Sequence, residues 1–194
     1  MLNPVRICLA SVAMTASLLG TGGAAQAQAM GGERTVMVGG AAMYPSRNIV
    51  QNAMNSRDHT ILVQAVQAAG LVDTLSGAGP FTVFAPTNMA FQALPAATLQ
   101  SLMQPENRAM LQSILTYHVV AGQMTAADLM RAIRVGNGMA RLTTVQGGTL
   151  TARMQGNMIV LTDARGGMAT VTQADVMQSN GVIHVTNAVS LPAN

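Results

Sequence analysis

Very few of the side chains that reactive or nucleic-acid-binding proteins depend on are present in this chain. Its one cysteine, Cys8, lies close to the start, so the body has neither a disulfide framework nor a thiolate to work with. Lysine and tryptophan are missing, and the aromatics are three phenylalanines and two tyrosines. Ten basic residues, all arginine, against seven acids leave a formal charge of +3. The arginines are scattered and no basic cluster is interleaved with aromatics, which argues against nucleic acid as a partner. No Gly-x-Ser-x-Gly turn provides a nucleophile, and the three histidines, His59, His118 and His184, share no short ligand spacing such as His-x-x-x-His. Neither a catalytic constellation nor a metal or cofactor site is expected. Beyond the first thirty residues no apolar run reaches the ~20 residues that a membrane span needs.

What is present begins with an address. Arg6 precedes an apolar run from Ile7 to Leu19, and Ala25-Gln26-Ala27 and Ala27-Gln28-Ala29 are small-x-small cleavage sites. Residues 1–29 therefore read as a secretory signal peptide, and a secreted or periplasmic location is expected. Residues 30–43 form a Gly-rich leader or edge strand. The roughly 165 residues after the signal suit a single domain, expected over 44–194, that needs no disulfides to hold its core.

The centre of that domain is Gly79-Pro80-Phe81-Thr82-Val83-Phe84-Ala85-Pro86-Thr87-Asn88. A turn leads into a short apolar strand, and a second turn follows in which Thr87 or Asn88 can cap a helix over Met89 to Leu94. All three phenylalanines, Phe81, Phe84 and Phe91, fall here, where a core would form. Upstream, Asp58 is placed to cap a helix with Ile61, Leu62, Ala65, Val66 and Ala69 on one face. Gly70 ends that helix. Downstream, Leu99, Leu102 and Met103, then Met110, Leu111, Ile114 and Leu115, give inward helical faces. Tyr117-His118-Val119-Val120 reads as extended. Thr125 and Asp128 form a capping box for a short helix through Met130. From Ala140 the period changes to alternation, with a hairpin at Gln155-Gly156-Asn157 and further strands at Ala169 to Thr172 and Val182 to Val185. Helices gather before Gly122 and strands after it, which implies an α+β fold of mainly antiparallel strands beside a helical layer.

Three stretches together resemble a known family. Thr82-Val83-Phe84-Ala85-Pro86-Thr87-Asn88 with Ala90-Phe91, then Leu115-Thr116-Tyr117-His118-Val119-Val120, then Asn180-Gly181-Val182-Ile183-His184-Val185 are similar to the three ordered motifs of the fasciclin (FAS1) domain. The resemblance spans about Tyr44 to Pro192. It implies a twisted β-wedge flanked by helices, in which Thr82, Phe84, Pro86, Thr87, Asn88, Phe91 and His184 are structural. It also implies a secreted, non-enzymatic module that acts in cell adhesion by binding a protein or polysaccharide of the cell surface, matrix or envelope, as a monomer or by weak self-association. In animal members, integrin contact is attributed to an Asp-Ile pair before the last motif and to the Tyr-His motif. Those positions here are Asp175-Val176, followed by Met177, and Tyr117-His118. Asp175 alternatively caps a turn from Ala174 to Gln178, and His118 and His184 alternatively donate to backbone carbonyls.

Methionine, at sixteen, is in excess. Met103, Met110 and Met130 take inward helical positions, whereas Met37, Met43, Met139, Met154, Met158 and Met168 lie in strands or loops. A thioether-rich exported protein acting as an oxidant sink or weak Cu(I) binder is the alternative function.

Overall fold

The computed structural model describes residues 34–193; the expected signal peptide, residues 1–29, and the first residues of the leader lie outside the described residues. Strand β3 (Phe81–Pro86) is buried on both faces, as a strand without polar alternation must be. Val83 and Ala85, with half-buried Phe81, enter a core beneath the helices, and Phe84 enters a second core beneath the rest of the sheet. The three neighbouring phenylalanines are thus divided: Phe81 and Phe91 serve one core and Phe84 the other.

On either side of β3 run β9 (Gly181–Thr186), parallel to it, and β4 (Val119–Ala121), antiparallel. From β9 the sheet continues antiparallel through β8 (Met168–Gln178), β7 (Met158–Thr162) and β6 (Thr149–Gln155) to β5 (Met139–Thr143). The order is β4-β3-β9-β8-β7-β6-β5. Its two edges nearly meet, because Val120 bridges Thr144 and the Val145 amide donates to the Val119 carbonyl at 2.7 Å. The result is an α+β wedge close to a barrel.

Helices α1 (Ile49–Ala53), α2 (Thr60–Ala69), α3 (Val72–Ser76), α4 (Asn88–Gln92), α5 (Ala96–Leu102) and α6 (Arg108–Tyr117) make the helical layer. Helix α7 (Ala126–Val135) packs Leu129 and Ile133 against the inner face of the later strands. Some ends match expectation. Gly70 is left-handed at φ +72°, and the Leu71 amide donates to the Val66 carbonyl at 3.0 Å. Thr87 caps α4, and Thr125 with Asp128 forms the capping box of α7.

Other expectations are corrected. Asp58 does not cap α2; it lies in the 3₁₀ turn Arg57–His59 ahead of it. Helix α7 continues past Met130 to Val135, because Leu129 and Ile133, four apart, keep its buried stripe going until Gly136. Of the two readings of the stretch before Tyr44, the strand holds and the leader does not for residues 36–43: β1 (Val36–Val38) and β2 (Ala41–Met43) form a hairpin whose Val38 and Met43 are buried in the first core. Gly39 and Gly40, both at positive φ, allow that tight turn. Tyr117 is the last residue of α6 and His118 its C-cap, so the pair is helical where an extended run was expected. The α6 stripe Leu111, Ile114, Leu115 carries on through them. Met110 points outward and is exposed. Ala174 to Gln178 is not a turn but part of β8, where register jumps from Gln173–Val185 to Val176–Ile183. Ala174 and Asp175 stand opposite the single residue His184, one more than the ladder needs, so a bulge forms, and Asp175 in it has φ +58°.

Candidate functional site

Each of the three motifs turns out to be a set of clamps. In the first, the Thr82 hydroxyl donates to the Gly122 carbonyl at 2.6 Å and accepts from the Met124 amide at 2.9 Å. Pro86 and Phe91 are buried. Asn88 reaches across to α2: its side-chain oxygen accepts from the Ile61 amide at 3.0 Å and its amide donates to the Arg57 carbonyl at 2.8 Å. This is the N-terminal cap that Asp58 does not supply.

In the second motif, Tyr117, wholly enclosed at 0 % exposure, donates its hydroxyl to the Thr149 carbonyl at 2.7 Å and accepts from the Ala164 amide at 3.0 Å. Burial raises its pKa above the usual tyrosine value. His118, 2 % exposed, faces the Ile114 carbonyl through Nδ1 at 2.8 Å and accepts from the Ser190 amide through Nε2 at 2.9 Å. Those partners require a neutral ring protonated at Nδ1, and burial keeps its pKa below the ordinary value.

In the third motif, Asn180 accepts from the Ile49 amide at 3.0 Å and donates to the Leu75 and Gly77 carbonyls at 2.8 and 2.9 Å. At Gly181 the Phe81 carbonyl of β3 comes so close that a Cβ would strike it. His184 stacks on Phe84, with centroids 5.6 Å apart. Its Nε2 donates to the Met124 carbonyl at 2.8 Å, and its Nδ1 accepts from the Asp175 amide at 3.3 Å. His184 is therefore neutral with the opposite tautomer, and burial again lowers its pKa. His59 is the third buried imidazole: Nδ1 pairs with the Ser56 hydroxyl at 2.8 Å, while Nε2 has no hydrogen bond of normal geometry, although the Ala85 carbonyl lies close enough to raise its pKa slightly against the dominant lowering by burial.

The residues expected to contact a partner are mostly inside. Tyr117, His118 and Val176, the last at 1 % exposure, cannot present themselves to a second molecule. Asp175 is half-buried and its carboxylate accepts from the Ala126 amide at 2.7 Å, so it caps the first turn of α7, where the helix dipole favours a negative charge. Met177 is half-buried beside the Gln123 side-chain amide. An open polar cleft of about 560 Å³ is lined by Gln146, Thr149, Thr151 and Asp163, with the enclosed Tyr117 forming its floor, yet its ionisable groups are already occupied. Asp163, which sequence reasoning missed, accepts from the Arg165, Gly167 and Leu191 amides at 2.7–2.9 Å. Its Asp-Ala-Arg-Gly-Gly context is an Asx-turn signal that was there to be read. Two apolar voids near the first core, of about 40 and 30 Å³, hold no more than a water or two. No three His, Cys, Asp or Glu side chains gather as a metal set among the described residues.

In this fold the side chains of the three motifs clamp one element to another. The Fasciclin domain model matches residues 57–192, and the chain belongs to that family. It is 42 % identical over 184 residues to Protein sll1483 of Synechocystis, covering 95 % of each chain. It is 37 % identical over 145 residues to Immunogenic protein MPB70 of Mycobacterium bovis, covering 72 % of this chain and 66 % of that one. It is 36 % identical over 133 residues to the pig Transforming growth factor-beta-induced protein ig-h3, covering 69 % of this chain and 17 % of that one. Among solved structures, a FAS1 domain pair from the insect cell adhesion molecule Fasciclin I superposes with a TM-score of 0.67 at 18 % identity, over 75 % of this chain and 51 % of that one. That likeness establishes the fold. No helix among the described residues is long and apolar enough to cross a membrane.

Proposed function

We propose that this protein is a secreted or periplasmic, non-enzymatic binding module that contributes to attachment, through contacts with proteins or polysaccharides of the cell surface, matrix or envelope. One observation carries the reading: Thr82, Asn88, Tyr117, His118, Asn180 and His184 of the three motifs are hydrogen-bonded to backbone groups of other elements, which points to surface shape and surface charge as the means of action. With Tyr117, His118 and Val176 interior, the contact surface at the β8 bulge reduces to Met177 and its neighbour Gln123, with the outer edge of Asp175. The insect protein whose domain pair shares this fold, Fasciclin I, is a cell adhesion molecule, which supports the same reading. The test is binding of the purified mature protein to cells and envelope fractions, beside a deletion strain scored for attachment. Retention on the envelope and weakened attachment are expected; a protein that binds neither, with attachment unchanged on deletion, overturns the proposal.

The thioether alternative has its own support, since Met37, Met54, Met89, Met110, Met158 and Met168 are exposed. Exposed thioethers are open to oxidants. Hypochlorite protection that persists after these residues become leucine would remove it.

A further inference from the structure

The far end of the sheet carries charge and apolar surface in an arrangement that none of the motifs explains. Met139 at the start of β5 pairs with Arg153 on β6, and β6 then turns through Gln155, which pairs with Met158. The turn from α7 into β5 therefore lies beside the tip of the β6–β7 hairpin. Four large apolar side chains protrude from this rim: Val135 (80 % exposed), Met139 (37 %), Met154 (36 %) and Met158 (54 %).

Arginines stand behind them on both sides. Arg141 and Arg153 share the outer face of the sheet with Met139, and Arg131 and Arg134 lie on α7 just before Val135. Arg131, Val135, Met139 and Arg141 line one open groove of about 670 Å³, which Asp128 also lines. From Leu129 to Thr162 the chain contains no acidic residue. The nearest, Asp128, is engaged in the capping box and in a 3.4 Å pair with Arg131.

We infer that this rim docks on a lipid surface bearing anionic headgroups, with Val135, Met139 and Met158 entering the interface and the arginines meeting phosphates. The spacing fits. Arg141 is two strand residues behind Met139, about 7 Å, and Arg131 is one helical turn behind Val135, about 6 Å. An interfacial element buries its apolar side by ~5–10 Å past the headgroups, so the guanidinium groups reach phosphate level as the apolar tips reach the acyl boundary. A second copy of the chain is disfavoured as occupant, because a symmetric contact would set arginine against arginine. A soluble acidic polysaccharide would use the arginines but not the protruding tips.

The inference goes beyond the attachment reading and stands on the rim residues alone, so loss of one leaves the other in place. The experiment is flotation of residues 30–194, which hold every described element, with vesicles of phosphatidylcholine alone or in equal mixture with phosphatidylglycerol. Binding to the anionic vesicles only, reversed by salt, is expected. Arg141→Gln and Arg153→Gln should each weaken it about fivefold. Val135→Ser and Met158→Ser should weaken it too while leaving melting unchanged. The proposal is overturned by any of three results: no preference for anionic vesicles, indifference to the arginine changes, or binding that ignores the serine changes and transfers fully to soluble alginate. The last result would make the occupant a polyanion.

Discussion

Asp175 illustrates how one side chain can be placed for a structural reason in a position that looks like recognition. Its backbone adopts φ +58°, a region where aspartate and asparagine are several-fold enriched over other non-glycine residues. Its carboxylate holds the first amide of α7 and its own amide holds His184. Asp175→Asn keeps both the backbone preference and an accepting oxygen, so a loss of less than about 1 kcal/mol is expected from the helix-dipole term. Asp175→Val puts a β-branched residue at positive φ and removes the cap, with an expected cost of about 2–4 kcal/mol. Urea midpoints of the two variants check this; equal losses would mean that Asp175 acts only by its charge. His118 makes a similar case. His118→Ala removes an acceptor from the buried Ser190 amide and opens a cavity, so a loss of about 2–4 kcal/mol is expected. A variant that stayed as stable as the parent would contradict the clamp.

The elements show why some of this could be read along the chain and some could not. The end of α2 was legible because its signal is local: Gly70 and Leu71 directly follow the last apolar position, Ala69. Its beginning was not legible, because the cap is Asn88, twenty-seven positions beyond the amide it serves. Asn88 belongs to the first motif and reads there as a cap of α4, the helix next to it. Replacing it with alanine should uncap α2 and cost about 1–2 kcal/mol. The denaturant midpoint should fall with its slope unchanged, since the fold and its buried surface are kept. If α4 alone loosened by amide exchange while α2 kept its protection, the long-range cap would be wrong. Strand β8 reads as ending at Thr172, with a turn from Ala174 to Gln178, for a comparable reason. A bulge changes which residues face inward, so alternation breaks at Ala174-Asp175 although the ladder to β9 resumes at Val176. The Tyr117-His118 pair reads as extended because aromatic and β-branched residues cluster there, yet His118 is one helical turn from the Ile114 carbonyl it binds. The backbone-carbonyl reading of His118 and His184 is the one the structure has, whereas the burial of Tyr117 and Val176 depends on elements remote in sequence and was not legible.

Across the whole molecule two of the three buried histidines, His118 and His184, join parts of the chain that meet only on folding, and the third, His59, bonds locally to Ser56. His118 ties the end of α6 to Ser190 near the C-terminus, His184 ties β9 to the segment before α7 and to the β8 bulge, and His59 lies under the N-terminal hairpin, lining a void with Val38 and Met43. In each, burial is the largest influence and pushes the pKa below the ordinary histidine value. The unfolded chain therefore binds more protons than the folded one once pH falls below about 6.5. The stability these groups contribute is complete above that value and is lost as pH descends towards the depressed folded values. Asp128 does not blur this window, because its carboxyl is held below the usual range by hydrogen bonds from Thr125 and affects stability only in stronger acid. The melting temperature is expected to stay level between pH 8 and 7 and to fall between about pH 6.5 and 5. A level or rising profile across the lower interval would show that the rings are not held neutral. Nitrogen NMR gives a site-specific check, because the hydrogen-bond partners require the proton on Nδ1 in His118 and on Nε2 in His184. Opposite tautomers at the two sites are a result that a histidine free in a solvated cleft would not give.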